Sequence, residues 1–592
     1  MNKIFTLFVT FAVAVSGFAL DNAKINKEQS TLRDLFRTSS VAADDVSKKL
    51  ENYFADERKQ NDGSDRIKEF VTATRNLETL EGEIIQIPSK TGMSRIWNTR
   101  NRIDGYEPRD ANRNYFSGPE KDVILFNGEF TQNTTDMSFP TRGGIGFAFH
   151  RFYFSNMDYS GPLGNGWDFS YNAHLILSTK NSVTLDCAKL FLNGKCYEFQ
   201  RNGTMWNSAK GNFFRLEEQG EQFFIYDSQL SRMEFEKSAE AKNCWRLKAL
   251  ASRHSQYSTN RISIIYQKAS DRIEKIIEPY GNKIQFSYND DGRIIQISSV
   301  QNAVNYFYNA SGSLERVVWA DAALNFSQKG HFEIKYSYDL IANRYRLASR
   351  VTNNSKSWYC VKYDKNGGVS KVGYMSPEQD ATWNITRTGK KSVSITPAAP
   401  SATINFLFTS TTCMDLPSKI TIPALNSSET YTYNQDGLLL EHGNALGIKK
   451  VYEYDSNNEF PEVRSNLLSV TTLPSKTIDP SAAGKIIQET RYLKNKSFPV
   501  SKVIYEILKD GKKLALKRQE YEYSEDFEII KFNDNGIVTR YVSNKYGENV
   551  ITLDANNRAT INYYSDSWPQ KTNYEFMAGK ENNGGLLVHT VS

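Results

Sequence analysis

From about residue 83 to the end of the chain, apolar and polar residues alternate in short runs separated by turn signals. Alternation with a period of two is typical of a β-strand that buries one face and exposes the other. Asn-Gly and Asp-Gly pairs favour the positive φ angles of two-residue hairpin turns. Such pairs lie between apolar runs at Asn127-Gly128, Asn193-Gly194, Asn202-Gly203, Asp291-Gly292 and Asp510-Gly511. No Pro-rich or Ser/Gly-rich linker interrupts the region, so the pattern predicts one continuous antiparallel β body.

Residues 20–82 have a helical period instead. Val46, Leu50 and Phe54 recur at helical spacing, and a second apolar run begins at the capping residue Ser64. A coiled coil requires heptads that persist over several turns, and these do not. The pattern therefore predicts an amphipathic helical segment that packs on another part of the molecule.

Residues 1–19 have the pattern of an export signal. Lys3 gives a positive start, Ile4 to Val15 is a short apolar run, and Gly17-Phe18-Ala19 offers the small residues of a cleavage site. The alternative is a short buried helix at a cytosolic N-terminus. No Cys follows the run, so no lipid anchor is predicted. Because no other run approaches the ~20 apolar residues of a membrane-spanning helix, no transmembrane segment is predicted either.

A repeat with a period of twenty residues lies inside the β region. The segment that starts at Asn282 aligns with the segment that starts at Asn302, which pairs Tyr288 with Tyr308 and Gly292 with Gly312. Each unit contains an aromatic residue, Tyr, Asn or Asp, a short gap, Gly and an aliphatic residue. Looser copies are centred on Tyr363, Tyr433 and Tyr454. A fixed period of this length predicts stacked hairpins that bury one face against their neighbours. The alternative is an ordinary β-sandwich with chance similarity.

Alternation also predicts which side chains are buried earlier in the chain. After a Gly-rich turn, Trp167, Phe169 and Tyr171 share one face of a strand, and that face is expected to be buried, with residues 168, 170 and 172 on the other side. His150 and Arg151 are adjacent in a strand and therefore point to opposite faces, so one of the two is expected to be buried and paired.

Five cysteines occur: Cys187, Cys196, Cys244, Cys360 and Cys413. Cys187 and Cys196 flank the hairpin signal at Asn193-Gly194, so they are candidates for a cross-strand disulfide. Two half-buried thiols are the equal alternative.

Composition excludes several classes of function. Net charge is +6, from 73 basic and 67 acidic residues spread along 592 positions, which is no nucleic-acid footprint. The Cys spacings match no zinc pattern and the six His are scattered, so neither a metal nor another cofactor is predicted. No nucleophile elbow or His-Glu-x-x-His run occurs. Gly161-x-x-Gly164-x-Gly166 continues as a strand, whereas a phosphate-binding loop is followed by a helix. Paired carboxylates, as in glycoside hydrolases, need only spatial closeness, and the spacing nominates no pair.

These features resemble the Rhs/YD-repeat family, whose "YD..G.l" core recurs about every twenty residues. A second match is to the opening domain of many Rhs proteins, which has an R-x-Y-x-S strand followed by a G-P-L-G-x-G-W turn. The corresponding residues here are Arg151, Tyr153, Ser155, Gly161, Pro162, Gly164, Gly166 and Trp167. Residues 464–470 resemble the "R.NLLsv" phrase found between such repeats. The resemblance covers residues 122–574 and leaves the helical segment outside.

The resemblance implies a mainly β fold: a long antiparallel ribbon of YD hairpins that spirals into a shell. In bacterial relatives the shell often encloses a C-terminal toxin, and in animal teneurins it forms an adhesion module. No Asp-Pro-x-Gly-Leu-like cleavage phrase and no recognisable toxin follow Tyr574, and the copies are few. We therefore expect an open or partial shell. The expected units are a signal peptide at 1–19, a helical segment at 20–82, an Rhs opening domain at 83–250 and a YD ribbon at 251–592.

The expected function is that of an exported, non-enzymatic shell, adhesion or binding scaffold, secreted, periplasmic or at the cell surface. It would belong to a toxin-delivery or intercellular competition system, with a toxin cargo encoded elsewhere, cell-surface proteins or glycans as partners. The alternative is a secreted carbohydrate-binding or polysaccharide-active protein whose surplus of aromatic rings lines a groove, because Tyr and Trp rings bind sugar faces. A third hypothesis is a remnant of a toxin system that has lost its cargo.

Overall fold

The computed structural model describes residues 122–591, with gaps at 140, 142–144, 179–184, 255–259, 301, 322–331, 354, 356, 378, 390, 398–402, 412–414, 476–483, 509, 557, 565–570 and 578–585. The predicted signal peptide, the predicted helical segment and Cys413 lie outside the described residues.

The first six described strands belong to the opening part of the chain. They are β1 (Val123–Ile124), β2 (Glu129–Phe139), β3 (Phe147–Phe154), β4 (Ser160–Gly161), β5 (Gly164–Asn165) and β6 (Trp167–Phe169). Strands β1, β2, β3 and β6 form a four-stranded antiparallel sheet, which we call the opening sheet, and β4 pairs with β5 in a small hairpin.

All later strands belong to one long sheet, the ribbon. They are β7 (His174–Ser178), β8 (Cys187–Leu192), β9 (Lys195–Asn202), β10 (Met205–Ser208), β11 (Arg215–Gln219), β12 (Gln222–Tyr226), β13 (Arg232–Lys237), β14 (Cys244–Ala251), β15 (Arg261–Tyr266), β16 (Ile273–Ile277), β17 (Lys283–Tyr288), β18 (Ile294–Ser298), β19 (Asn302–Tyr308), β20 (Leu314–Asp321), β21 (Phe332–Ile341), β22 (Arg344–Thr352), β23 (Trp358–Tyr363), β24 (Val369–Met375), β25 (Asp380–Arg387), β26 (Ser392–Pro397), β27 (Ile404–Ser410), β28 (Asp415–Ile422), β29 (Ser427–Tyr433), β30 (Leu439–Gly443), β31 (Lys449–Tyr454), β32 (Leu467–Leu473), β33 (Lys485–Tyr492), β34 (Pro499–Ile507), β35 (Lys513–Tyr523), β36 (Ile529–Asp534), β37 (Ile537–Ser543), β38 (Asn549–Leu553), β39 (Arg558–Tyr564), β40 (Lys571–Met577) and β41 (Leu586–Val591). Two short 3₁₀ turns, Pro423–Leu425 and Pro461–Val463, lie between ribbon strands.

Each ribbon strand pairs antiparallel with the next one in sequence from β11 to β41. Strand β14 also pairs with β7, which leads through β8 and β9 to β10. No register pair within the described residues joins β41 back to an earlier strand. The predicted fold class, a mainly β protein built on an open antiparallel ribbon, is therefore confirmed. The expected boundary at 250/251 falls at the end of β14, and the sheet continues across it into β15.

The twenty-residue repeat has a structural cause in the tyrosine that defines it. The register shifts by one residue directly before Tyr288 and Tyr308, which is a β-bulge. The Tyr288 hydroxyl donates a hydrogen bond to the Ile273 carbonyl at 2.9 Å, and the Tyr308 hydroxyl donates one to the Ile294 carbonyl at 2.6 Å. The same bulge and the same bond to the preceding hairpin occur at Tyr266, Tyr338, Tyr363, Tyr433, Tyr492 and Tyr523.

The turn after each repeat tyrosine explains the Asx and Gly positions. The Asn309 side-chain oxygen accepts the backbone N–H groups of Ser311 and Ser313 at 3.1 and 3.0 Å. Gly312 follows with a φ of +79°, a conformation that other residues rarely adopt. The repeats of Tyr288, Tyr308, Tyr363 and Tyr433 therefore join three elements: a hydroxyl bond to the previous hairpin, an Asx turn and a left-handed Gly. After Tyr266, Tyr492 and Tyr523 the left-handed residues are Ala269, Asn495 and Phe527 instead.

One hydrophobic core joins the opening sheet to the ribbon. Phe149 of β3 packs on Phe286 of β17 with ring centroids 5.9 Å apart, and Phe126 packs on Phe408 of β27 at 5.6 Å. The opening sheet thus covers the inner face of the ribbon from β17 to β27. In the strands from β34 to β38, by contrast, every described residue is half-buried or exposed.

Candidate functional site

The two sequence motifs that identify the family resemblance are in contact. The Pro162 carbonyl accepts the backbone N–H of Ile294 at 2.7 Å and the hydroxyl of Tyr308 at 3.2 Å. The Asn165 side chain donates to the Ser311 carbonyl at 2.9 Å. The glycine-rich turn of the opening domain therefore binds the turns of the two best-matched repeats.

The glycines of this turn are required by close approach. Gly164 has a φ of +85°, and a Cβ at this position would lie 2.4 Å from the Gly312 carbonyl oxygen. A Cβ on Gly166, which has a φ of +73°, would lie 2.8 Å from the Tyr153 ring. A Cβ on Gly161 would likewise clash with the Tyr159 ring. A side chain on Gly164 would therefore push the turn away from the repeats, whereas side chains on Gly161 and Gly166 would clash with rings of the opening domain itself.

The strand after the turn has the predicted orientation. Trp167, Phe169 and Tyr171 are all buried in the common core. Asp168 lies on the other side of the strand and is also buried. Its carboxylate is not left unsatisfied there, because it accepts the backbone N–H of Gly194 at 2.9 Å. This bond holds the Asn193-Gly194 hairpin, which sequence analysis located but did not connect to the opening sheet.

A buried ion pair lies at the centre of the junction between the opening sheet and the ribbon. Arg151 and Asp136 have fully buried side chains and form a bidentate ion pair. Arg151 Nη2 donates to Asp136 Oδ1 at 2.9 Å, and Arg151 Nε donates to Asp136 Oδ2. Ribbon tyrosines complete it: the Tyr306 hydroxyl donates to Asp136 Oδ2 at 2.7 Å, and the guanidinium lies 3.4 Å from the Tyr336 hydroxyl. The guanidinium also lies 4.9 Å from the centroid of the Trp167 ring.

The protonation state of this centre follows from its surroundings. Burial alone would lower the pKa of Arg151, but the Asp136 carboxylate and the nearby tyrosine hydroxyls outweigh it and raise that pKa well above its ordinary value. Burial and Asp136 both raise the pKa of Tyr306, so its hydroxyl stays protonated and donates. The prediction that one of His150 and Arg151 is buried and paired is therefore confirmed for Arg151.

The remaining residues of the opening motif also bind the ribbon or the opening sheet. The Tyr153 hydroxyl accepts the backbone N–H of Leu347 at 2.9 Å, and burial raises the pKa of Tyr153. The Ser155 hydroxyl accepts the backbone N–H of Phe130 at 2.9 Å. Sequence analysis missed Asp136 and Tyr336. An isolated acid among Thr and Ser residues carries no signal, and Tyr336 is one of many ribbon aromatics.

Of the two alternatives for Cys187 and Cys196, the cross-strand disulfide is wrong and the pair of thiols is confirmed, and both thiols are buried. Cys187 and Cys196 do lie on the two strands of one hairpin, β8 and β9, as predicted. The register, however, places Cys187 opposite Gln200 and Cys196 opposite Phe191. The two residues therefore do not face each other, and no disulfide joins them.

A second group of contacts joins distant parts of the ribbon, and we call it the seam. Early ribbon residues meet acidic residues or turns far along the chain. The pairs are Gly211 with Asp436 at 3.1 Å, Arg215 with Glu462 at 2.6 Å, His254 with Glu528 at 2.7 Å and Asn260 with Tyr546 at 3.2 Å. Both members advance along the chain together, so the late ribbon runs alongside the early ribbon.

The core face of the ribbon continues past the part that the opening sheet covers. Directly opposed residues share a face, and opposed pairs lead from the buried Tyr452 through Val470 to the later strands. The face then continues through half-buried residues that we call the distal inner face: Gln488, Lys502, Ile504, Lys517, Gln519, Tyr521, Phe532, Asp534 and Thr539. The Tyr521 and Phe532 rings lie 5.0 Å apart on it.

Two further properties concern only the described part of the chain. No group of three or more His, Cys, Asp and Glu side chains there is placed to hold a metal ion. None of the helices in that part is long and apolar enough to cross a membrane.

A family model described as Domain of unknown function (DUF6531) matches residues 120–189, which contain the opening sheet. The search of curated proteins gave no match. Among solved structures, the complex titled TcdB2-TccC3-Cdc42 is similar with a TM-score of 0.29 and 10% identity, covering 76% of this chain and 26% of that chain. TcdB2-TccC3 without its hypervariable C-terminal region is similar with a TM-score of 0.28 and 9% identity, covering 76% of this chain and 26% of that chain. A porin-like protein from Bacteroides uniformis has a TM-score of 0.13 and 10% identity, covering 52% of this chain and 91% of that chain. The chain thus spans about a quarter of the length of the two TcdB2-TccC3 chains.

Proposed function

We propose that this chain is an exported, non-enzymatic partial shell whose distal inner face binds a polypeptide partner. The observation that carries the proposal is the continuation of the core face beyond the opening sheet. Where the opening sheet covers that face, the residues are buried, as Phe286 and Tyr306 are. Where it does not, the equivalent residues, such as Tyr521 and Phe532, are half-buried.

The chemistry of the distal inner face favours a polypeptide. It combines side-chain amides and a hydroxyl with two aromatic rings, two lysines and an aspartate, and the aspartate, Asp534, pairs with Lys517 at 3.6 Å. Amide and hydroxyl groups bind a peptide backbone, and aromatic residues are enriched in the centres of protein interfaces. The resemblance to Rhs/YD-repeat proteins supports the same class of partner, either a toxin cargo encoded elsewhere or a cell-surface protein.

Site-specific photocrosslinking of the full chain in its native host tests the proposal. Benzoylphenylalanine replaces Tyr521 or Phe532 on the distal inner face, and Glu522 or Lys531 as controls. Glu522 and Lys531 are directly opposed on the other face of the same two strands. We expect one polypeptide to be crosslinked at both inner positions and at neither control position. Crosslinking at all four positions, or at none, would contradict a partner held on the inner face.

The non-enzymatic part of the proposal competes with a polysaccharide-active enzyme. Glycoside hydrolysis needs two carboxyl groups about 5–10 Å apart beside the bound sugar. The full chain is incubated with a panel of cell-wall and capsular polysaccharides, and the products are separated by size. We expect no shortening of any chain. Release of oligosaccharides, if abolished by substitution of a carboxylate pair, would establish the enzyme instead.

Export is the remaining part of the proposal and rests on the sequence of residues 1–19. Cell fractionation of the host is expected to find the chain outside the cytoplasm, shortened near Ala19. A variant that lacks residues 4–15 is expected to stay in the cytoplasm at full remaining length. Cytoplasmic recovery of the unaltered chain would refute export and leave the shell proposal standing.

A further inference from the structure

Exposed aliphatic side chains extend the distal inner face beyond the half-buried residues that define it. The strand register places Leu514 and Ile537 on this face, where they are 48% and 63% exposed. Exposed hydrophobic residues on a soluble protein are normally scattered singly, and a contiguous apolar patch marks a site of interaction. These two residues share one face with the Tyr521 and Phe532 rings, so the face has the composition of a docking surface.

The chain itself contains a segment with a matching apolar surface. The sequence predicts two amphipathic runs within residues 44–80, with Leu50 and Phe54 on the apolar stripe of the first and Ile67 and Phe70 on that of the second. Helices of this length are marginal in water, and most of their stability comes from packing of the apolar stripe on another surface. The runs lie outside the described residues, and they require the kind of surface that the distal ribbon presents.

The segment is connected to the ribbon on the core side. Asp122 directly follows residues 83–121, and its carboxylate accepts the hydroxyl of the core residue Tyr359 at 3.3 Å. The chain therefore enters the described structure at the face that continues as the distal inner face. Residues 83–121 would span up to roughly 130 Å when fully extended, so their length allows the segment to reach any part of that face.

The dimensions of the face suit two helices. Strands β34 and β35 contain 9 and 11 residues, which makes them about 30 Å long. A helix over residues 64–80 would be about 25 Å long. The face extends over β33 to β37, which spreads it over about 20–24 Å at the usual strand spacing. Two helices packed side by side, with axes 8–10 Å apart, cover about 20 Å.

We infer that residues 44–80 cover the distal inner face of their own chain until a polypeptide partner displaces them. The apolar stripes of the segment pack on the Tyr521 and Phe532 rings, and the charged sides of the segment face water. The connection through residues 83–121 holds the segment at a local concentration of up to about millimolar, so a weakly binding polypeptide does not displace it. The inference rests on the proposed function, because it assigns the regulation of the same face.

Photocrosslinking of the purified full chain, without host extract, tests the inference. Benzoylphenylalanine replaces Tyr521 or Phe532, with Glu522 or Lys531 on the opposite face as controls, and mass spectrometry of the peptides maps each crosslink. We expect both inner positions to crosslink to residues 44–80 and neither control position to do so. An equal mixture of isotope-labelled and unlabelled chains identifies crosslinks between copies. Crosslinks that join only different copies, or that miss residues 44–80, would overturn the inference.

A variant of the segment provides the second test. Leu50→Glu combined with Phe70→Glu places charges on the apolar stripes, where burial is costly, and should lower the yield of the internal crosslink at least about ten-fold. Lys48→Glu combined with Lys68→Glu is the matched control, because it introduces two glutamates on the polar side, and it should leave the yield unchanged. All four substitutions lie outside the ribbon, so thermal unfolding of the ribbon should be the same in both variants. Equal yields in the two variants would contradict packing through the apolar stripes.

The same variants in the native host separate this inference from the proposed function. The Leu50→Glu, Phe70→Glu chain should capture more of the host polypeptide at Tyr521 than the unaltered chain does. Capture of that polypeptide by a chain that never crosslinks to residues 44–80 would overturn the internal cover and leave the proposed function standing. Internal crosslinks with no polypeptide captured by either chain would support the cover and overturn the proposed function.

Discussion

The indole N–H of Trp167 donates a hydrogen bond of 2.9 Å to the hydroxyl of Tyr338, and 171 residues of chain separate the two. The same hydroxyl donates to the Leu314 carbonyl at 2.8 Å, which is the bond that Tyr288 and Tyr308 make to their preceding hairpins. Trp167 therefore joins the series of tyrosine hydrogen bonds from the side of the opening sheet. The contact explains why the opening motif ends in Trp: the ring fills the core, and its N–H reaches the repeat.

Trp167→Ala is expected to unfold the junction. Truncation of a buried Trp costs about 3–5 kcal/mol, comparable to the lower end of the stability of a whole domain. Trp167→Phe keeps an aromatic ring and loses the N–H bond, so its cost should be near that of one hydrogen bond, ~0.5–1.5 kcal/mol, plus the lost volume. Limited proteolysis and thermal unfolding measure both variants. A Trp167→Ala protein that melts like the unaltered chain would show that the junction is not a stabilising core.

Much of the fold could be predicted from the sequence because its signals are local. Tyr288, Asn289 and Gly292 lie within one hairpin, and the period follows from a bond that reaches only to the preceding hairpin. The face that contains Trp167 followed from alternation alone. Local signals of this kind determine strand, turn and ribbon.

The candidate sites depend on long-range contacts that leave no mark in the sequence. Asp136 meets Tyr306 across 170 residues, and Arg215 meets Glu462 across 247. Neither spacing follows from a period. The disulfide prediction failed for a related reason: an Asn-Gly turn locates a hairpin, but only the register decides that Cys187 faces Gln200.

The ion pair between Arg151 and Asp136 should show strong coupling. Asp136→Asn or Arg151→Met alone leaves a buried charge without its counterion, which typically costs about 3–5 kcal/mol. The double variant removes both charges, so its cost should be well below the sum of the two single costs. Thermal unfolding midpoints at one scan rate give the comparison. Additive costs would mean that the two side chains act independently.

Tyr308→Phe tests the hydrogen bond that defines the repeat. The Tyr308 hydroxyl donates to the Ile294 carbonyl at 2.6 Å, so its loss leaves this partly buried acceptor short of a donor, whereas the Pro162 carbonyl keeps the backbone N–H of Ile294. We expect a cost of about 1–3 kcal/mol, as for an unsatisfied buried group. Tyr374→Phe is the control, because its ring is exposed and its hydroxyl accepts from Arg350 at the surface, so its cost should be close to zero. Equal costs for the two variants would refute a special role for the repeat hydroxyl.

The seam should weaken in acid through Glu528. Burial tends to raise the pKa of this carboxyl, but its hydrogen bonds from His254 and Arg253 outweigh burial and hold the pKa below its ordinary value. A carboxyl whose pKa is lower in the folded state contributes stability that is fully present above its unfolded pKa of about 4.3 and is lost as the pH falls through the lower folded pKa. Hydrogen exchange at residues 253–254 and 524–528 should therefore accelerate below about pH 4. Glu528→Gln should remove this part of the pH dependence, whereas Glu522→Gln, an exposed residue away from the seam, should preserve it. Unchanged acid sensitivity in Glu528→Gln would show that protonation of Glu528 does not open the seam.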